Sequence, residues 1–80
     1  MKLPIIRALA EKHSVEELKH AEDAILNEQQ PIIVVEGDDE GERLTHVISA
    51  IAVKEDMEAN GVELRVALRN YADRVRKSIS

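Results

Sequence analysis

Residues 31–42 read Pro31-Ile32-Ile33-Val34-Val35-Glu36-Gly37-Asp38-Asp39-Glu40-Gly41-Glu42, and the fold class turns on them. Four β-branched residues in succession, bounded by Pro31 and Gly37, predict a short strand over Ile32–Val35. It would be an orphan. No other segment has strand character, and the N–H and C=O groups of a strand need a partner. The expectation is pairing with a second copy of the chain across a two-fold axis. Beyond the glycine, Asp38 or Asp39 is placed to cap a long helix.

Working outward, helical periodicity accounts for the rest of the chain. Pro4 suits a first helical turn, and Ile5, Ile6, Leu9 and Ala10 share one face of a helix over about Leu3–Lys12. Ser14-Val15-Glu16-Glu17 is a capping box opening a second helix, with Val15, Leu18, Ala21, Ile25 and Leu26 as its apolar stripe. The third helix runs to about Ala59, where Asn60-Gly61 stops it. Leu44, Val47, Ile48 and Ile51 lie on one of its sides. His46, Ala50, Val53 and Met57 lie on the other, a pattern expected of a helix between two layers, one of which a second subunit would supply. The last helix, about Glu63 to Ser78, carries Leu64, Ala67, Leu68, Tyr71, Val75 and Ile79 as its stripe. The predicted fold is one domain over residues 1–80, mostly α, with four helices and one strand between helices two and three.

Composition narrows the functions. The chain is 44% hydrophobic and 34% charged, which is globular, and it has no cysteine, so disulfides, thiolate metal sites and a cysteine nucleophile are excluded. An 80-residue domain buries only about 60–65% of its unfolded surface, so self-association is the expected source of added stability. Residues 1–60 hold six Lys or Arg against fourteen Asp or Glu, a net −8, while residues 61–80 are +3. An acidic chain with Tyr71 as its one aromatic residue is a poor nucleic-acid binder. No apolar run approaches the ~20 residues that cross a bilayer, and Arg7 interrupts the opening run, so the cytoplasm is the expected compartment.

Candidate sites follow from chemistry-bearing side chains. Asp38, Asp39, Glu42 and His46 are the candidates for a metal site, His46 standing four residues after Glu42 on one helix face. Capping accounts for two of the five carboxylates in residues 36–42, and a basic partner would balance the rest. Arg65, Arg69 and Arg76 project within ~40° of one another on the last helix and are the candidates for partner or ligand binding, or for facing the acidic loop. Ile32, Ile33, Val34, Val35, His46, Ala50, Val53 and Met57 are the candidate subunit interface. Ser14, Ser49, Ser78 and Ser80 lie in no recognisable nucleophile motif, and Thr45 and His46, adjacent on a helix, point ~100° apart.

The run Glu36–His46 (Glu-Gly-Asp-Asp-Glu-Gly-Glu-Arg-Leu-Thr-His), the opening Met1-Lys2-Leu3-Pro4 and the closing Ala67-Leu68-Arg69-Asn70-Tyr71 and Arg74-Val75-Arg76-Lys77-Ser78-Ile79 belong together. Over essentially the whole chain they resemble a family of small uncharacterised bacterial proteins. The resemblance implies no activity, cofactor or catalytic residue. The sequence therefore leads to a homo-oligomeric, dimeric binding or adaptor module without catalytic activity or cofactor, its partner being itself or another protein. The alternative is a metal- or small-ligand-responsive protein using the acidic loop and His46.

Overall fold

The computed structural model describes residues 1–79, the side chain of Ile79 excepted, so the place of Ile79 in the expected stripe and Ser80 lie outside the described residues. Four helices follow one another: α1 Leu3–Lys12, α2 Val15–Leu26, α3 Glu40–Asn60 and α4 Leu64–Ile79. None is long and apolar enough to cross a membrane. α3 is the central helix, and α1, α2 and α4 each pack against it.

Local chemistry sets the ends of these helices. Pro4 lies in the first turn of α1, where its missing N–H costs nothing. At α2 the capping box is complete: the Ser14 hydroxyl accepts the Glu17 N–H at 3.1 Å, and the Glu17 carboxylate accepts the Ser14 N–H at 2.9 Å. That backbone hydrogen bond, with the charge of His13 and the Ser14 hydroxyl, holds the Glu17 carboxyl below the ordinary carboxylate range. Its contribution to stability is therefore present above the ordinary carboxylate pKa and is lost as pH falls through the lowered value.

The α3 N-terminus uses a different reach. Asp39 caps the Glu42 N–H at 2.8 Å, but the Glu42 carboxylate goes back to the Asp38 N–H, at 2.9 Å, and not to Asp39. At the far end Gly61 sits at φ +61°, the left-handed region that glycine enters without steric cost, and its N–H bonds the Met57 carbonyl. α2 closes less comfortably, with Glu28 at φ +57°, where a side chain is disfavoured. That turn lets Gln29 N–H reach the Ala24 carbonyl at 2.7 Å and sends the chain away from the helix.

The predicted strand does not form. Among the described residues there is no β-strand; the backbone bends at Ile32 and Ile33, and Ile32–Val35 make no backbone–backbone hydrogen bond. With every other segment helical, the chain offers this one no edge to pair with. It uses its side chains instead. Pro31 and Val35 are buried and Ile33 packs on the core, whereas Ile32 and Val34 are 97% and 82% exposed. An in–out alternation that mimics a strand is here the signature of an irregular segment anchored every second residue. The fold class is all-helical, and among the described residues there is no strand to pair across a dimer.

The second side of α3 also differs from the expected subunit surface. His46, Ala50 and Val53 are fully buried within the single chain, and Met57 is half-buried against the same core. This side of α3 is thus covered within the one chain, so these residues do not form a free subunit surface, whereas Ile48 on the other side is 44% exposed.

Gly37 fixes how closely the connecting segment approaches α3. A Cβ there would lie 2.6 Å from Arg43 Cγ and 2.9 Å from the Arg43 backbone nitrogen. Gly37→Ala should therefore cost about 1–3 kcal/mol in urea unfolding, by forcing the segment off the helix. Gly41→Ala, with its nearest atom at 3.4 Å, should stay within about 1 kcal/mol of the parent or gain from helix propensity. Equal effects at the two glycines would contradict the close approach.

Candidate functional site

His46 is a fully buried polar side chain with a partner at each ring nitrogen. It projects from the second turn of α3 into a region with no solvent exposure. Its Nε2 accepts the Lys2 backbone N–H at 3.0 Å, and its Nδ1 faces the Glu36 carbonyl at 2.8 Å. An amide N–H can only donate and a carbonyl can only accept. The ring is therefore the neutral tautomer with its proton on Nδ1. One imidazole joins three separate pieces of chain: the start of α1, the segment before Gly37, and α3.

The acidic loop is organised around this anchor. Glu42 holds the Asp38 N–H and lies 3.9 Å from the Met1 amino group, while Lys2 Nζ is 3.6 Å from Asp38. Asp39 is the cap and Glu40 lies in the positive first turn of α3. The candidate metal ligands Asp38, Asp39, Glu42 and His46 thus each have another partner. In particular, both ring nitrogens of His46 are taken, so it presents no lone pair to a metal. No group of three or more His, Asp or Glu side chains among the described residues is disposed to hold a metal ion.

The arginine row and the loop are not brought into ion-pair contact. Arg65, Arg69 and Arg76 are exposed; Arg65 lies 3.8 Å from Glu63, Arg76 4.0 Å from Asp73, and no ion pair among the described residues involves Arg69. Nearby, Arg74 stacks 5.6 Å over the Tyr71 ring. The hydroxyls are equally committed to the fold. Ser14 is a cap, Thr45 bonds the Gly41 carbonyl and Ser78 the Arg74 carbonyl.

Two part-buried contacts were not legible from the pattern of residues. Ser49, fully buried, meets the Tyr71 hydroxyl at 2.7 Å between α3 and α4. Lys54 Nζ bonds the Ala10 carbonyl at 3.0 Å, placing a cation at the negative end of α1. The isolated tyrosine in the α4 stripe was a usable signal for the first, since a buried phenol seeks a partner. Nothing in the sequence marks Lys54.

Clefts open on the surface of the described residues. One, of about 460 Å³, lies between α2 and the connecting segment and is lined by Glu16, His20, Ala21, Ala24, Ile32 and Ile33 among others. A second, of about 410 Å³, separates Glu55 and Asp56 on α3 from Asn70 and Arg74 on α4. The third, about 280 Å³, lies between α1 and residues Val34 and Glu36.

A family model matches residues 1–80, the whole chain. The chain belongs to DUF6952, a family of unknown function. No curated protein and no solved structure matches it. For this DUF6952 chain the functional reading therefore rests on its own residues.

Replacing His46 by leucine keeps the bulk but orphans the Lys2 N–H and the Glu36 carbonyl. His46→Leu should lower the unfolding free energy by about 2–4 kcal/mol, and His46→Gln, which retains an acceptor, by less. In the parent, ¹⁵N-detected NMR should show a protonated Nδ1 and a bare Nε2. The opposite tautomer, or equal stability of the leucine variant, would contradict the bonding described.

Proposed function

We propose that this chain is a non-catalytic, self-associating interaction module that docks through the side chains of the segment between α2 and α3. The observation that carries this reading is the pair Ile32 and Val34, 97% and 82% exposed on a segment whose alternate residues are locked into the core. Single exposed apolar residues are ordinary, but two β-branched ones held outward together form a ready contact surface. Leu26, 60% exposed at the end of α2, adds to the apolar surface. The folded chain also presents 5389 Å² to solvent, above the ~4,850 Å² that mass scaling gives a monomer of 9.0 kDa. The engagement of the described serine and threonine hydroxyls in caps and packing supports a role without nucleophilic chemistry. The contact is one of side chains, with no β-ladder, and the second copy is the leading partner.

Sedimentation equilibrium at micromolar concentration should give about 18 kDa, twice the 9.0 kDa chain mass. Ile32→Asp should return the chain to a monomer with its helical circular dichroism unchanged, because the residue has almost no contacts to lose. A parent that stays monomeric at every concentration would refute self-association. A dimer indifferent to Ile32→Asp would refute the surface.

A further inference from the structure

The cleft beside α1 combines three features that the other two lack. Its wall is aliphatic, formed by Ile5, Leu9 and the outward-held Val34. Lys12 and His13, at the end of α1, line one part of it, and Glu36 lines another. Neither the Lys12 ammonium nor the Glu36 carboxylate has an ion-pair or hydrogen-bond partner among the described residues. His13 reaches Glu17 through Nδ1, at 3.8 Å, which leaves Nε2 available. The cleft beside α2 offers Glu16 and Glu17 but no Lys or Arg, and the α3–α4 cleft has only alanine as apolar lining.

Opposite charges left unpaired around an aliphatic wall define a ligand with the same three parts. We propose that this cleft binds an aliphatic α-amino acid as its zwitterion. Lys12 and His13 receive the carboxylate, Glu36 receives the ammonium, and Ile5, Leu9 and Val34 receive the branched side chain. A volume of about 280 Å³ falls just below the ~300–1,000 Å³ of drug-sized sites and suits a ligand of this size. Exposed charges are screened, so the affinity is modest and the two ends supply selectivity more than strength. Binding would cover Val34, which also belongs to the proposed self-association surface, so ligand and second copy compete for it.

The test is an NMR titration of the parent chain and of Ile32→Asp with L-leucine, isocaproate, isoamylamine and N-acetyl-leucinamide. Leucine should give saturable shifts confined to the cleft, with a Kd at or below about 1 mM, in both proteins. Isocaproate and isoamylamine, each lacking one charge, should bind several-fold more weakly, and the capped amide more weakly still. Lys12→Gln should weaken leucine about threefold without affecting isoamylamine, and Glu36→Gln should do so without affecting isocaproate. Both residues are exposed, and circular dichroism checks that each variant keeps its helices.

Absence of leucine binding to both proteins would overturn the proposal whatever their oligomeric state, which sedimentation of the same samples reports separately. Equal binding of the capped amide would also overturn it, showing that the cleft reads an apolar side chain and no zwitterion. Unchanged leucine affinity in both charge variants would do the same.

Discussion

The two hydrogen bonds of His46 are the constraint on which the rest of the arrangement depends. Helices of 10, 12, 21 and 16 residues can pack in several ways, and nothing in their stripes alone dictates where the connecting segment lies. The ring settles that by binding Lys2 on one side and Glu36 on the other. Both partners are backbone groups, so the contacts fix the path of the chain rather than the identity of neighbouring side chains. Leaving either group unpaired in that interior costs on the order of 1–3 kcal/mol, a sizeable part of the stability of a small domain.

From that anchor the acidic loop becomes intelligible. With Glu36 held by its carbonyl, Gly37 passes against Arg43 and delivers Asp38 and Asp39 to the mouth of α3. The carboxylates of residues 36–42 are then distributed among different tasks: cap, backbone acceptor, partner of Lys2, and lining of a cleft. Their mutual repulsion is moderated by the start of the chain, whose Met1 amino group and Lys2 ammonium lie beside them. Among the described residues, Arg65, Arg69 and Arg76 of α4 make no ion pair with the loop and stay exposed.

The helices were legible because each carries its own local instructions: Pro4, the Ser14–Glu17 box, the Asp39 cap and Gly61 mark ends, and the stripes mark faces. The connecting segment was not. β-Branched residues fit a half-buried extended surface, and Ile32–Val35 have one, but the surface is the helical core and not a neighbouring strand. The same limit applied to His46, Ala50, Val53 and Met57. Periodicity showed that α3 is apolar on both sides, yet it carries no information on whether the covering layer belongs to the same copy. The partners of His46 lie 44 and 10 residues away, and neither is a side chain, so no pattern of residue types could reveal them.

The bond between the Lys2 amide and the ring of His46 holds the start of the chain to α3, and amide hydrogen exchange reads it directly. The residue precedes α1 and its side chain is exposed, so without that bond its amide would exchange as freely as that of an unstructured terminus. The structure predicts protection of at least about a hundredfold at the Lys2 amide, lost in His46→Leu while α3 stays protected. Exchange of Lys2 at the unprotected rate in the parent chain would contradict it.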